Sequence, residues 1–180
     1  MKTVEIKQEQ ILLDGVLIFE KKESSFVPFI KGAYKEFELK YPKFHKMDRL
    51  CKLAFVAANL LIGENGLEAY EPADIAVIMS NASSTLHTDS KHCESIKDRA
   101  DYYPSPAIFV YTLPNIMIGE VCIKYNIKGE SIFLISNTPN NDQLNQYAQD
   151  MIDDGIAKVC LTGWVDYTEN NYYAKLALLK

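Results

Sequence analysis

The sequence predicts an α/β fold built on a mixed, mostly parallel sheet flanked by helices. Between residues 74 and 164, apolar runs of strand length alternate with amphipathic stretches of helix length, the order that βαβ units produce. The run over residues 74–80 (DIAVIMS) is continuously apolar rather than alternating, as a strand covered on both faces requires. The chain has 180 residues, 48% hydrophobic and 24% charged, enough for one sizeable core. No linker, internal repeat or low-complexity tract divides it, so residues 1–180 are expected to form one domain.

Each element has its own local reason. The segment 4–20 joins Ile11-Leu12-Leu13 and Val16-Leu17-Ile18-Phe19 around Asp14-Gly15, which predicts a strand pair or one irregular strand. Residues 26–39 have a helical pattern that Pro42 ends. Over 47–62, Met47, Leu50, Cys51, Ala54, Ala57, Ala58 and Leu61 fall at three- and four-residue steps before Gly63 and Gly66, the pattern of a buried helix with a glycine exit. After the strand 74–80 come a polar loop over 81–85 and a charged surface helix over 89–99, which the prolines at 104 and 106 bring to an end. A helix over 114–125 has Pro114 in its first turn and Gly119 inside, where a second backbone could approach closely. Residues 131–136 form the next strand.

The stretch 138–155 predicts a helix with Thr138 as N-cap, Pro139 at the first helical position and Asp142 in the first turn. Leu144, Tyr147, Ala148, Met151 and Ile152 lie along its apolar face, and Gly155 supplies the exit. Strands over 157–164 and 172–179, separated by the turn 168–171, complete the chain.

Composition excludes several function classes. A net charge of -5 opposes nonspecific binding to nucleic acid or an anionic membrane, both of which rely on a basic surface. The N-terminus lacks the continuous apolar stretch of a signal peptide, and the runs 53–62 and 107–119 are too short or too broken for a membrane span. A cytoplasmic protein is the expectation. The four cysteines, Cys51, Cys93, Cys122 and Cys160, show no CxxC spacing, so reduced thiols and no metal site are expected, and no cofactor motif is present. Cys51, Cys122 and Cys160 sit in apolar surroundings as core residues, whereas Cys93 lies among charges.

Several blocks occur together in one order. Residues 48–58 form an alanine-rich stretch opened by Asp48, and residues 75–95 (IAVIMSNASSTLHTDSKHCES) run from strand to small-residue loop to helix. In residues 105–134 (SPAIFVYTLPNIMIGEVCIKYNIKGESIFL), Leu113-Pro114-Asn115, Gly119-Glu120-Val121, Ile127 and Gly129 stand at fixed spacing. These blocks resemble the β-ketoacyl-acyl carrier protein synthases, over about residues 45–166. The resemblance implies the N-terminal half of a thiolase-like fold. It also implies a register in which the family's nucleophilic cysteine falls on Thr138, with Gly155 closing the following helix.

The departures from that pattern set the functional expectation. A condensing enzyme needs a thiol at a helix N-terminus, where amides and dipole favour thiolate. Thr138 offers a hydroxyl, which would require an adjacent base. The family's two catalytic histidines and its lysine come from a C-terminal half that this sequence does not include, and His45, His87 and His92 match no catalytic motif. No catalytic residue is therefore expected, and Thr138 reads as a helix cap. The expected function is that of a noncatalytic, chain-length-factor-like partner in fatty-acid, polyketide or aryl-polyene-type biosynthesis. Its partner would be an active β-ketoacyl synthase or a second copy of itself, with acyl carrier protein as a further one. The alternatives are a residual acyltransferase or thioester hydrolase using the old acyl pocket, and a free-standing binding module.

Three other patterns were weighed. Lys40, Lys43, Lys46, Arg49 and Lys52 recur every third residue, as a dock for an acidic partner would or, more simply, as a solvated face. Ser83, Ser84, Thr85, His87 and Asp89 crowd one loop without the geometry of a hydrolase triad. Asp150, Asp153 and Asp154 lack ligand spacing for a metal.

Overall fold

Three antiparallel strands open the chain, where the sequence predicts a pair or one irregular strand: β1 (Lys2–Lys7), β2 (Gln10–Leu13) and β3 (Val16–Glu20). The turn between β2 and β3 uses Asp14 and Gly15 at φ 50° and 79°, the left-handed pair that a tight hairpin demands. The turn before it puts Gln8 and Glu9 at φ 44° and 65°, residue types that give no turn signal. The computed structural model describes residues 1–64, 66–100 and 102–180.

Helix α1 (Phe26–Glu36) ends three residues earlier than the predicted 26–39. Helix α2 (Arg49–Ile62) begins at Asp48, whose carboxylate caps the Cys51 amide at 2.8 Å, and ends at Gly63 with φ 73°. Twelve of its fourteen residues are buried, because α2 lies between the sheet and its helical neighbours α1 and α5 (Ile116–Tyr125). Strand β4 (Ile75–Asn81) is buried along its whole length, as its unbroken apolar run predicts. Helix α3 (Leu86–Ser95) and the short α4 (Pro106–Phe109) then lead into α5. Gly119 does not serve close packing as expected: a Cβ there would meet nothing within 4 Å. The close approach falls instead at Gly129, where a Cβ would stand 2.4 Å from the Ile75 carbonyl oxygen.

Strand β5 (Ser131–Ile135), helix α6 (Asn141–Asp153), strand β6 (Val159–Tyr167) and strand β7 (Tyr172–Leu179) complete one seven-stranded sheet in the order β3-β2-β1-β7-β6-β4-β5. The sheet is mixed, as predicted, but parallel pairing is the minority. Only β4 with β5 and β4 with β6 run parallel; the other four pairings are antiparallel. The reason is connection length: β1, β2 and β3, and likewise β6 and β7, are joined by tight turns, which can link only antiparallel strands. Gly163 in β6, at φ 147°, lets β7 approach so closely that a Cβ would lie 2.1 Å from the Lys175 carbonyl oxygen.

The two sheet faces are dressed differently. One carries α1, α2 and α5 over a core that includes Phe29, Phe44, Phe55 and Leu53. The other carries α6, seated through Leu144, Ala148 and Met151 on Ala76, Ile78, Cys160 and Ala177. The outward side of α6 is polar, with Gln146 donating to Asp150 (2.8 Å) and Gln149 to Asp153 (2.9 Å). Beyond α6 that sheet face shows Glu5, which accepts from Lys7 at 2.9 Å and from the Tyr173 hydroxyl at 3.1 Å. Among the described residues no single helix is long and apolar enough to cross a membrane.

Candidate functional site

The parallel strands β4, β5 and β6 end on one rim, at Asn81, Ile135 and Tyr167. In open α/β sheets the crevice beyond such carboxyl ends is where ligands bind. Side chains from four segments meet there. Ser80, fully buried, donates to Asn140 Oδ1 at 2.6 Å, and the Ser136 amide donates to the Asn81 carbonyl at 2.9 Å. These bonds stitch the β5–α6 loop to the end of β4. Asp166 in β6 accepts from the Ser83 amide (3.0 Å) and hydroxyl (3.2 Å), fixing the loop after β4. Asn81 closes that loop with Ser84, donating to its carbonyl (3.0 Å) and accepting from its amide (2.9 Å). A cavity of about 280 Å³ lies against this cluster, lined by Asn137, Pro139, Trp164, Asp166 and Tyr173 among others.

Thr138 stands on this rim, exposed to solvent. It is not the helix cap that the sequence predicts. Helix α6 begins at Asn141 with Asn140 as its N-cap, so Thr138 and Pro139 both precede it. The Asn140 side chain is held by Ser80 and makes no cap bond of its own, while the Thr138 carbonyl accepts from Ser136 Oγ at 2.9 Å. A tertiary bond to β4, not local cap chemistry, therefore sets where the helix starts. Among the described residues the Thr138 hydroxyl has no hydrogen-bond partner, and none of the three histidines contacts it. His45 packs edge-on against Tyr34 and Phe44 and His87 edge-on against Tyr167, while His92 lies tilted against Phe109. Burial, with Lys91 and Arg49 nearby, pushes the His87 imidazole below its ordinary value.

The crowded loop is structural. Besides the roles of Ser83 and Ser84, Thr85 Oγ1 lies 3.0 Å from Asp89 Oδ1 and 2.9 Å from the Thr112 carbonyl oxygen. Asp48 ties this region to α2 by accepting from Thr88 Oγ1 at 2.7 Å. The basic run is mostly absorbed as well. Lys43 pairs with Glu120 at 2.9 Å, Arg49 donates to the Tyr167 hydroxyl at 2.5 Å, and Lys52 is buried and donates to the Met47 carbonyl. Only Lys40 and Lys46 of the five are exposed without such partners. Among the described residues no group of three His, Cys, Asp or Glu side chains is placed to hold a metal ion.

Glu120 is a functional-looking residue with a structural place. It is 2% exposed, and its Oε1 accepts both from Lys43 Nζ and from the Tyr111 hydroxyl at 3.2 Å, while Oε2 has no partner. Burial and the Glu120 charge push the Tyr111 phenol far above its ordinary value. The motif Gly119-Glu120-Val121 gives no sign of these partners, because Lys43 is far from Glu120 in sequence.

With the rim and its loop in place, the comparison with known proteins is decisive. Residues 18–176 match the family model of the beta-ketoacyl synthase N-terminal domain. The chain belongs to that family. No curated protein matches it. Among solved structures, this synthase-family chain is similar to one titled "The ishigamide ketosynthase/chain length factor", at 14% identity and TM-score 0.73. The match covers 98% of this chain and 60% of that one. A ketosynthase (ApeO) in complex with its chain length factor (ApeC) from Xenorhabdus doucetiae matches at 12% identity and TM-score 0.63, covering 100% of this chain and 77% of that one. A type II PKS acyl-carrier protein in complex with its ketosynthase (AntDE:AntF) matches at 12% identity and TM-score 0.66, over 99% and 61% of the two chains. The chain thus spans about 60% of the length of the first of these. At such identities the likeness is one of fold, the thiolase-like half-fold that the resemblance implies.

Proposed function

We propose that this chain is a non-condensing partner subunit of a β-ketoacyl synthase, chain-length-factor-like, serving fatty-acid, polyketide or aryl-polyene-type biosynthesis. One observation carries the proposal: on the register that the resemblance implies, the nucleophile position is an exposed threonine whose hydroxyl has no hydrogen-bond partner among the described residues and which lies two residues ahead of the Asn140 N-cap. A hydroxyl so placed has nothing to lower its pKa or accept its proton. The partner role has support of its own. Strand β5 is the sheet edge beside the rim, and its Leu134 and Ile135 are 39% and 58% exposed. An unpaired apolar edge is a template for pairing with another chain, which here would be an active synthase or a second copy. Two of the similar structures are titled as ketosynthases with chain length factors. Acyl carrier protein would meet the exposed Lys40, His45 and Lys46, by charge complementarity.

The test is co-purification from the native cell with analysis of bound acyl chains, repeated with Thr138→Ala. A synthase that co-purifies equally with both proteins supports the proposal. A protein that hydrolyses or transfers acyl thioesters alone, and loses that activity in Thr138→Ala, overturns it in favour of the residual acyltransferase or thioester hydrolase.

A further inference from the structure

Away from the rim, a second cavity of about 640 Å³ opens between α1 and the turn Pro42–Lys46. Its cationic wall is Lys31 and Lys35, one helical turn apart on α1, with Lys40 and His45 facing them. All four are exposed, and none forms an ion pair among the described residues. One carboxylate, Glu38, shares the lining. Lys35 also borders a neighbouring cavity with Glu20 and Glu36, without closing an ion pair with either.

Two features set this cleft apart from an ordinary lysine-bearing surface. The nearby basic side chains Lys43, Arg49 and Lys52 are each bonded within the fold, whereas those around the cleft are not. In a chain of net charge -5, positive charge gathered at one concavity attracts anions. The apolar part of the wall is also pre-shaped. Tyr34 stacks on Phe44 at 4.0 Å between ring centroids, and its hydroxyl is locked to Tyr41, accepting from the amide at 2.7 Å and donating to the carbonyl at 3.1 Å. Leu39 adds a second apolar surface. Small-molecule sites combine such apolar walls with a few convergent polar groups.

We propose that this cleft binds a small organic anion, its carboxylate, sulfonate or phosphate head held by Lys31, Lys35 and Lys40 and its apolar body lying on Tyr34 and Leu39. Like charges one turn apart on a helix repel, and an anion between Lys31 and Lys35 turns that repulsion into two charge-assisted contacts. The site uses no residue of the rim or of β5, and shares Lys40 and His45 with the surface proposed to meet acyl carrier protein.

The test uses 1-anilinonaphthalene-8-sulfonate, an anionic aromatic probe, followed by fluorescence titration of the full chain. The double variant Lys31→Gln/Lys35→Gln should weaken binding about tenfold, as losing two charge-assisted contacts implies. Lys91→Gln/Lys128→Gln, which removes two exposed lysines elsewhere, should leave it unchanged. The uncharged analogue N-phenyl-1-naphthylamine should bind wild type about tenfold more weakly and ignore the α1 substitutions. Circular dichroism of each variant checks that the fold is intact. Equal probe affinity in wild type and the α1 variant overturns the proposal, and so does equal affinity for the charged and uncharged probes. Sulfate alone binding as tightly as the probe would overturn the apolar half of the site.

Discussion

Truncating Glu120 tests whether the buried Lys43–Glu120–Tyr111 cluster holds α5 to the turn before α2. In Glu120→Ala three losses add. The Lys43 ion pair contributes only about 1 kcal/mol, because the Lys43 side chain is 45% exposed and screened by water. The Tyr111 hydroxyl, on a residue 8% exposed, loses its acceptor, at about 1–3 kcal/mol. Removing the Cγ methylene from the core costs about 0.8 kcal/mol more. Glu120 Oε2 is buried without a partner, so relief of its desolvation offsets part of this, and the expected loss is about 3 kcal/mol. Glu120→Gln keeps an acceptor for Tyr111 and should lose only about 1 kcal/mol. Urea unfolding with linear extrapolation measures both. Adding Tyr111→Phe to Glu120→Ala should restore part of the loss, since it removes the stranded hydroxyl. Equal destabilisation by Gln and Ala, or a loss below about 1 kcal/mol in Ala, would refute the reasoning.

Four further outcomes are expected. Gly163→Ala should destabilise by about 4 kcal/mol or more, because its Cβ would stand 2.1 Å from the Lys175 carbonyl oxygen at φ 147°; a thermal midpoint near wild type would contradict this. Iodoacetamide at pH 8 should label Cys93, the exposed cysteine, and spare the other three until the chain unfolds, as mass spectrometry can read. Burial pushes the Cys51 thiol up strongly, Cys122 to about 11 and Cys160 to about 12. Folding keeps these thiols protonated, so stability should fall as pH rises past the ordinary thiol value of 9.0 and continue to fall toward those folded values; a flat profile between pH 9 and 11 would count against it. Ile135→Lys, at the exposed end of β5, should abolish the association proposed for this edge in size-exclusion chromatography with light scattering, while leaving the unfolding free energy within about 0.5 kcal/mol of wild type.

Local chemistry that acts over a few residues was legible in the sequence. The apolar run of β4, the three- and four-residue spacing in α2 and the glycine exits at Gly63 and Gly155 all appear where their patterns place them. The N-terminal arm was only half legible, because Asp14-Gly15 announces its turn and Gln8-Glu9 does not. The start of α6 was misplaced because Thr-Pro is good cap chemistry, yet Ser80, 60 residues away, holds Asn140 at the helix start instead. The candidate site depended even more on distance. Asp166 reaches Ser83 across 83 positions, and no spacing rule connects them. The antiparallel pairing of β1 with β7 was hidden for the same reason, since the two strands come from opposite ends of the sequence.

The late start of α6 bears on what a cysteine at position 138 would meet. Thr138→Cys would place its sulfur two residues ahead of the Asn140 N-cap, outside the first turn where amide groups and the helix dipole favour thiolate. Pro139, next in line, has no amide hydrogen to offer an oxyanion. Thr138→Cys would therefore carry a thiol without the backbone that activates one. Seating a thiol at position 138 on the first turn of α6 would need the loop from Ser136 to Asn140 to be rebuilt and released from Ser80 and Asn81, so backbone geometry sets the chemistry open to this position as much as the side chain does.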